Sequence, residues 1–63
     1  MLYAYLDSET KLWNIGCKIW GGGSWGNDRY YDLETGFLSQ PTAIIEMNKY
    51  HYDFKTNNYK KEH

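Results

Sequence analysis

Between Lys11 and Trp20 the character of the chain alternates. Trp13, Ile15, Cys17 and Ile19 share one parity, while Asn14, Gly16 and Lys18, flanked by Leu12 and Trp20, share the other. A period of two over this length marks a strand with one buried face. One strand cannot satisfy its own backbone groups, so the run commits the chain to a sheet whose other strands lie in neighbouring segments. Leu2 to Leu6 is the first of these, joined by Asp7-Ser8-Glu9-Thr10, a cluster of turn-forming residues. Gly21 to Asn27 (GGGSWGN) ends the alternation and reads as a loop. Beyond it, Arg29 to Leu33 and Gly36 to Ser39 are expected as a second hairpin about Glu34-Thr35-Gly36, with Gly36 supplying the positive φ of a bulged turn.

From Ser39 the period changes. Ser39 suits an N-cap and Pro41 the first helical turn, and Ile44, Met47, His51 and Phe54 recur at spacings of three and four, widened by Ile45 and Tyr52. This predicts a C-terminal amphipathic helix of about three to four turns reaching Phe54. The competing reading is a strand, because Tyr50, Tyr52 and Phe54 alternate and tyrosine favours sheets. Residues 55–63 (KTNNYKKEH) are polar and carry a net charge of +2 against -3 for residues 1–54, so they are expected as a flexible tail after a single domain over 1–54.

With 63 residues there is room for one domain. At this size burial is marginal unless the fold is stapled, and a lone Cys17 cannot form an internal disulfide. The apolar mass is mostly rings: three Trp, seven Tyr and two Phe, with no Val. Each ring buries roughly 150–250 Å², so aromatic packing together with self-association is the expected source of stability. The first residues carry no basic leader segment, and no run approaches the roughly 18 apolar residues of a membrane span. The expectation is a cytoplasmic protein with no membrane partner.

Motifs for chemistry are sparse. Gly21, Gly23 and Gly26 satisfy G-x-G-x-x-G, but Asn27 to Leu33 does not read as the helix that a dinucleotide site requires, and no Lys-Ser/Thr pair follows to make a phosphate loop. Asp28, Asp32 and Glu34 share a strand parity and would line one face, yet they lack the oxygen-rich loop of a calcium site and a His to complete a transition-metal set. Cys17 falls on the core stripe, His51 on the helix stripe, and His63 is terminal, so nucleophile, base and orienting group do not converge. No cofactor, metal or catalytic residue is expected.

Arg29-Tyr30-Tyr31-Asp32-Leu33-Glu34-Thr35-Gly36-Phe37-Leu38-Ser39 resembles the tyrosine-aspartate repeat of Rhs-type proteins, whose core segments read R-Y-Y-D-P-E-T-G-R-F-L-S. Leu33 stands in place of the proline, and the arginine after the glycine is missing. The resemblance implies a β-hairpin here. Such repeats build large toxin-enclosing shells, which one short chain cannot form, so no function and no catalytic residue is carried over.

The expected fold is α+β: a small antiparallel sheet of three or four strands in two hairpins, with the C-terminal helix packed on one face. Trp13, Ile15, Cys17 and Ile19 would meet Ile44, Met47 and Phe54 in the core, leaving Tyr3, Tyr5, Leu12, Trp20 and Tyr30 or Tyr31 on the far face, a larger apolar surface than a monomer leaves in water. The expected function is a non-enzymatic interaction protein that forms a homodimer and binds a protein partner, of the kind phages or mobile elements direct at host proteins and defence systems. Trp20, Trp25, Arg29, Tyr30 and Tyr31 are the expected contact residues, since Trp and Tyr dominate binding hot spots. The alternative is a single-stranded nucleic-acid binder that stacks bases on the same rings, against which three neighbouring acids weigh.

Overall fold

The computed structural model describes residues 1–21 and 28–62. Strands β1 (Leu2–Leu6), β2 (Trp13–Ile19) and β3 (Arg29–Phe37) form an antiparallel sheet in the order β1-β2-β3; helix α1 (Gln40–Met47) follows, then a separate hairpin of β4 (Tyr50–Asp53) and β5 (Asn58–Lys61). The class is α+β, with the helix in mid-chain rather than at the C-terminus.

The first hairpin follows the expected local chemistry. Asp7 Oδ1 accepts from the backbone N–H groups of Glu9 at 2.8 Å and Thr10 at 3.4 Å, and Lys11 takes a left-handed φ of 62° to turn the chain into β2. β1 and β2 then pair without interruption from Leu2↔Cys17 to Leu6↔Trp13.

The second expected hairpin is absent: Arg29–Phe37 is one strand. Its register against β2 slips twice, because Trp13↔Phe37 is followed by Ile15↔Glu34 and then by Gly16↔Asp32. Each slip places an extra residue on β3, which is what a β-bulge does. Gly36 has the expected positive φ, 89°, but spends it on a bulge instead of a turn. The turn-like residues Asp32 to Gly36 are therefore absorbed inside a strand that bends.

Pairing sorts the sheet's side chains onto two faces. Leu2, Ala4, Ile15, Cys17, Ile19, Tyr31, Glu34 and Phe37 share one; Tyr3, Tyr5, Asn14, Gly16, Lys18, Tyr30 and Asp32 share the other. The first is the core face, where Ile15 and Cys17 are wholly buried and Ile19 nearly so, together with Ala43 of α1.

The helix is shorter than its apolar spacing implied. Ser39 caps it, accepting from Thr42 N–H at 3.4 Å, Pro41 lies in the first turn, and Asn48 ends it. Beyond that point the alternation of Tyr50 and Tyr52 wins and the chain becomes strand, which is the competing reading. Of the expected helix stripe, only part turns inward: Met47 is half-buried, Ile44 is 37% exposed, and Phe54, in the β4–β5 turn, is 88% exposed. Residues 58–61, expected within a tail, are β5, paired with β4 from Tyr50↔Lys61 to Asp53↔Asn58. The turn between them uses Asn57 at φ 54° and Asp53 Oδ1 accepting from Lys55 N–H at 2.9 Å.

Polar contacts fasten this hairpin to the core face. Tyr50 Oη donates to Glu34 Oε1 at 2.6 Å, Lys61 Nζ reaches Glu34 Oε1 at 2.6 Å and Glu46 Oε2 at 3.0 Å, and Tyr31 Oη bonds Asn58 Oδ1. Helix and hairpin thus meet at one lysine on the same side of the sheet, and the described chain is thin, 37 × 28 × 12 Å.

Candidate contact surface

The opposite face is the one that neither α1 nor the β4–β5 hairpin covers. Its centre is built around Gly16. Tyr3 is its partner on β1 and Asp32 its partner on β3, and the phenol end of Tyr3 lies over the bare glycine backbone. Tyr3 and Tyr5 stand side by side with ring centroids 5.9 Å apart. Tyr5 Oη donates to Asp32 Oδ1 at 2.6 Å, tying β1 to β3 across β2.

Asn14 is the buried polar member of this face, 4% exposed. Its Nδ2 donates to Tyr5 Oη at 3.3 Å and approaches Asp7 Oδ2 at 3.5 Å, while its Oδ1 accepts from the Gly36 backbone at 3.3 Å. One side chain therefore links the first turn, β1 and the bulge of β3. The network also sets protonation: the hydrogen bond to Asp32 raises the Tyr5 phenol, and the Glu9 and Thr10 amides hold the Asp7 carboxyl below its usual range.

Toward the far end of β2 the surface turns aromatic and charged. Lys18 Nζ forms an ion pair with Asp28 at 3.3 Å and lies 5.9 Å from the centroid of the Tyr30 ring, the residue opposite it on β3. Tyr30 is 63% exposed, and Trp20, just beyond β2, is 72% exposed. The residues on this face thus run from tyrosines over glycine to a free Trp and Tyr beside a paired lysine.

Two of the five expected contact residues, Trp20 and Tyr30, lie at this end of the open face. Arg29 is exposed at the start of β3, but as the partner of Ile19 it has the parity of the core face. Tyr31 does not join them either: one residue on from Tyr30, it points to the core face, half-buried, where burial raises its phenol and Asn58 holds it. Trp25 lies outside the described residues, as does most of the glycine motif. Tyr3, Tyr5, Lys18 and Asp32 belong to the surface although none was among the expected contact residues. Their signal was the parity shared with Gly16, once β1 and β3 are set in register.

The three acids expected on one face are dispersed. Asp28 pairs with Lys18 and Asp32 with Tyr5, but the bulge at Leu33 reverses the parity and sends Glu34 to the core face, against Tyr50 and Lys61. Among the described residues no group of three His, Cys, Asp or Glu side chains stands close enough to hold a metal ion. Cys17 is buried on the core face, and His51 is exposed on β4. No described helix is long and apolar enough to cross a membrane. Compared with protein-family models, curated proteins and solved structures, the chain has no match in any of the three.

Proposed function

We propose that this chain is a non-enzymatic interaction protein that acts as a homodimer and binds a protein partner through the exposed sheet face. The observation that supports this most directly is the pairing of large exposed rings with an uncovered face: Trp20 and Tyr30 stand clear of the sheet while helix and hairpin both occupy its other side. Such rings supply contact area at low entropic cost and dominate binding hot spots. The face is also firm, because Asn14, Tyr5 and Asp32 lock three strands together beneath it. A rigid platform loses little freedom on binding.

Stacking of single-stranded nucleic acid on the same rings is the second reading, supported by Lys18 beside Tyr30. Asp28 neutralises Lys18, and Asp7 and Asp32 lie on the same face, so phosphate meets little net attraction.

The test is a photo-crosslinking amino acid placed at Tyr30 and, as an exposed control in the β4–β5 turn, at Phe54. The reading expects a discrete protein adduct from position 30 that disappears in Trp20→Ala and does not form from position 54. Identical adducts from both positions would overturn it. Quenching of tryptophan fluorescence by an added oligonucleotide, reversed by salt, would favour the nucleic-acid reading instead.

A further inference from the structure

We infer that the outer edge of β1 is a pairing edge, taken by a second copy of this chain in antiparallel register centred on Ala4. The inference rests on the homodimer in the reading above and gives it a surface distinct from Trp20 and Tyr30.

The backbone of β1 shows which groups are available. Met1 and Lys18 exchange both of their backbone hydrogen bonds, each 2.8 Å, so they form a closely bonded pair. Bonded and non-bonded pairs alternate along an antiparallel ladder, so Tyr3↔Gly16 and Tyr5↔Asn14 are bonded pairs as well. The N–H and C=O groups of Leu2, Ala4 and Leu6 therefore point away from β2. Among the described residues, no other strand pairs with them and no turn or side chain bonds them.

Among the described residues, no charge, proline or bulge on β1 guards this edge. β3 is blunted by two bulges and by Arg29, Asp32 and Glu34, and β4 and β5 carry Asp53, Lys60 and Lys61. β1, Leu-Tyr-Ala-Tyr-Leu, is the only described strand with no charged side chain, and it has no proline, glycine or bulge. Edges of proteins that stay single carry such devices; an unguarded edge is a template for another strand.

The occupant is identified by the sequence of the strand itself. Leu2-Tyr3-Ala4-Tyr5-Leu6 reads the same in both directions about Ala4. Antiparallel pairing about a two-fold axis at Ala4 sets Ala4 opposite Ala4 and Leu2 opposite Leu6 as bonded pairs, which satisfies every outward group at once. Tyr3 then faces Tyr5 of the second copy as a non-bonded pair, with Cα atoms about 4.5 Å apart, where cross-strand rings meet best. The tyrosines of both copies gather on the open face, and the leucines gather on the face of α1. Because the other edge of the sheet among the described residues, on β3, is bulged and charged, pairing closes at two copies instead of continuing into a fibre.

Edge pairing over five residues buries less than the roughly 800 Å² per partner of a standard interface, so the association is expected to depend on concentration. The experiment combines sedimentation of the full chain over a dilution series with amide hydrogen exchange followed residue by residue. The expected result is a mass rising toward two chains, with exchange at Leu2, Ala4 and Leu6 slowing on the order of tenfold as the dimer fills. Tyr3 and Tyr5, bonded to β2, serve as controls protected at every concentration. Ala4→Pro removes an outward N–H from an edge, a place where proline is tolerated, and should leave a folded chain with the mass of one copy. Should that variant unfold, exchange in the unaltered chain decides alone. A dimer whose Leu2, Ala4 and Leu6 amides exchange at the same rate at all concentrations overturns the edge while leaving the homodimer standing. A single-chain mass throughout overturns both.

Discussion

An ideal Cβ built on Gly16 would lie 2.7 Å from Cε2 of Tyr3 and 2.8 Å from its Cζ. The ring occupies the volume a side chain would need, and it shields a strand backbone that glycine otherwise leaves bare. Glycine inside a strand ordinarily weakens it; here it is the condition for Tyr3 to lie close against β2. Gly16→Ala should therefore drive the ring off the sheet. The clash is with the far end of a side chain, so the strand survives and the cost is that of overpacking, about 1–3 kcal/mol. A lowered urea midpoint at unchanged m-value, with the Tyr3 ring more exposed to solvent, is the expected outcome. A midpoint equal to that of the parent would show that the ring does not rest on Gly16.

Asn14 is the buried polar residue on which the bulge of β3 depends. Asn14→Ala leaves the Gly36 N–H without its acceptor and releases Tyr5, and stranding a part-buried donor costs about 1–3 kcal/mol. Asn14→Asp keeps the acceptor but sets a carboxylate near Asp7 and removes the donors to Tyr5 and Asp7. Both variants should melt earlier, and the Gly36 amide should exchange faster in Asn14→Ala than in Asn14→Asp. Equal exchange in the two would separate the bulge from this hydrogen bond.

The contrast between β2 and β3 shows what a sequence of this kind discloses. Alternation along β2 depends only on which face meets the core, so Ile15, Cys17 and Ile19 are legible as buried from spacing alone, as is the Asp7 turn from its side-chain chemistry. β3 contains the same kinds of signals, yet Glu34-Thr35-Gly36 serves a bulge and not a turn, because pairing with β2 continues on both sides of it. That decision is tertiary, and it reverses the parity after Asp32 on which the grouping of the three acids depended. Likewise Ile44, Met47, His51 and Phe54 fit a helical period, but the chain after Asn48 finds a strand partner in residues whose own composition reads as a tail. Arg29 and Tyr31 part from Tyr30 for a simpler reason: adjacent strand residues face opposite ways, so neither shares a surface with Tyr30.

The junction at Lys61 makes stability depend on acid. Lys61 and then Tyr50 hold the Glu34 carboxyl below its ordinary value of 4.5, Lys49 and then Lys61 do the same for Glu46, and Lys60 lowers Asp53. A carboxyl with a lowered pKa in the folded chain binds protons more readily when unfolded. Its contribution is complete above the ordinary carboxylate range and is lost as pH falls through the lowered folded values. The parent should lose stability progressively below about pH 4.5, and Lys61→Met should be the less stable protein at neutral pH but lose less on acidification. The two stability curves then converge in acid. Parallel curves from neutral pH downward would mean that Lys61 does not fasten the hairpin to Glu34 and Glu46.

Alkali tests the tyrosines from the other side. Tyr50 is pushed up to about 12, first by burial and then by its hydrogen bond to Glu34. Burial also raises Tyr3, Tyr31 and Tyr59, and the bond to Asp32 raises Tyr5, all from an ordinary value of 10.0. A phenol raised in the folded state holds its proton more tightly than in the unfolded chain. Its contribution is whole below pH 10 and fades as pH climbs through the folded value. Phenolate absorbance of the folded chain should therefore lag that of the urea-unfolded chain. Tyr50→Phe should delete the latest component and leave the early rise unchanged. If folded and unfolded chains titrate together, or if Tyr50→Phe removes an early component, neither burial nor the bond to Glu34 protects that phenol.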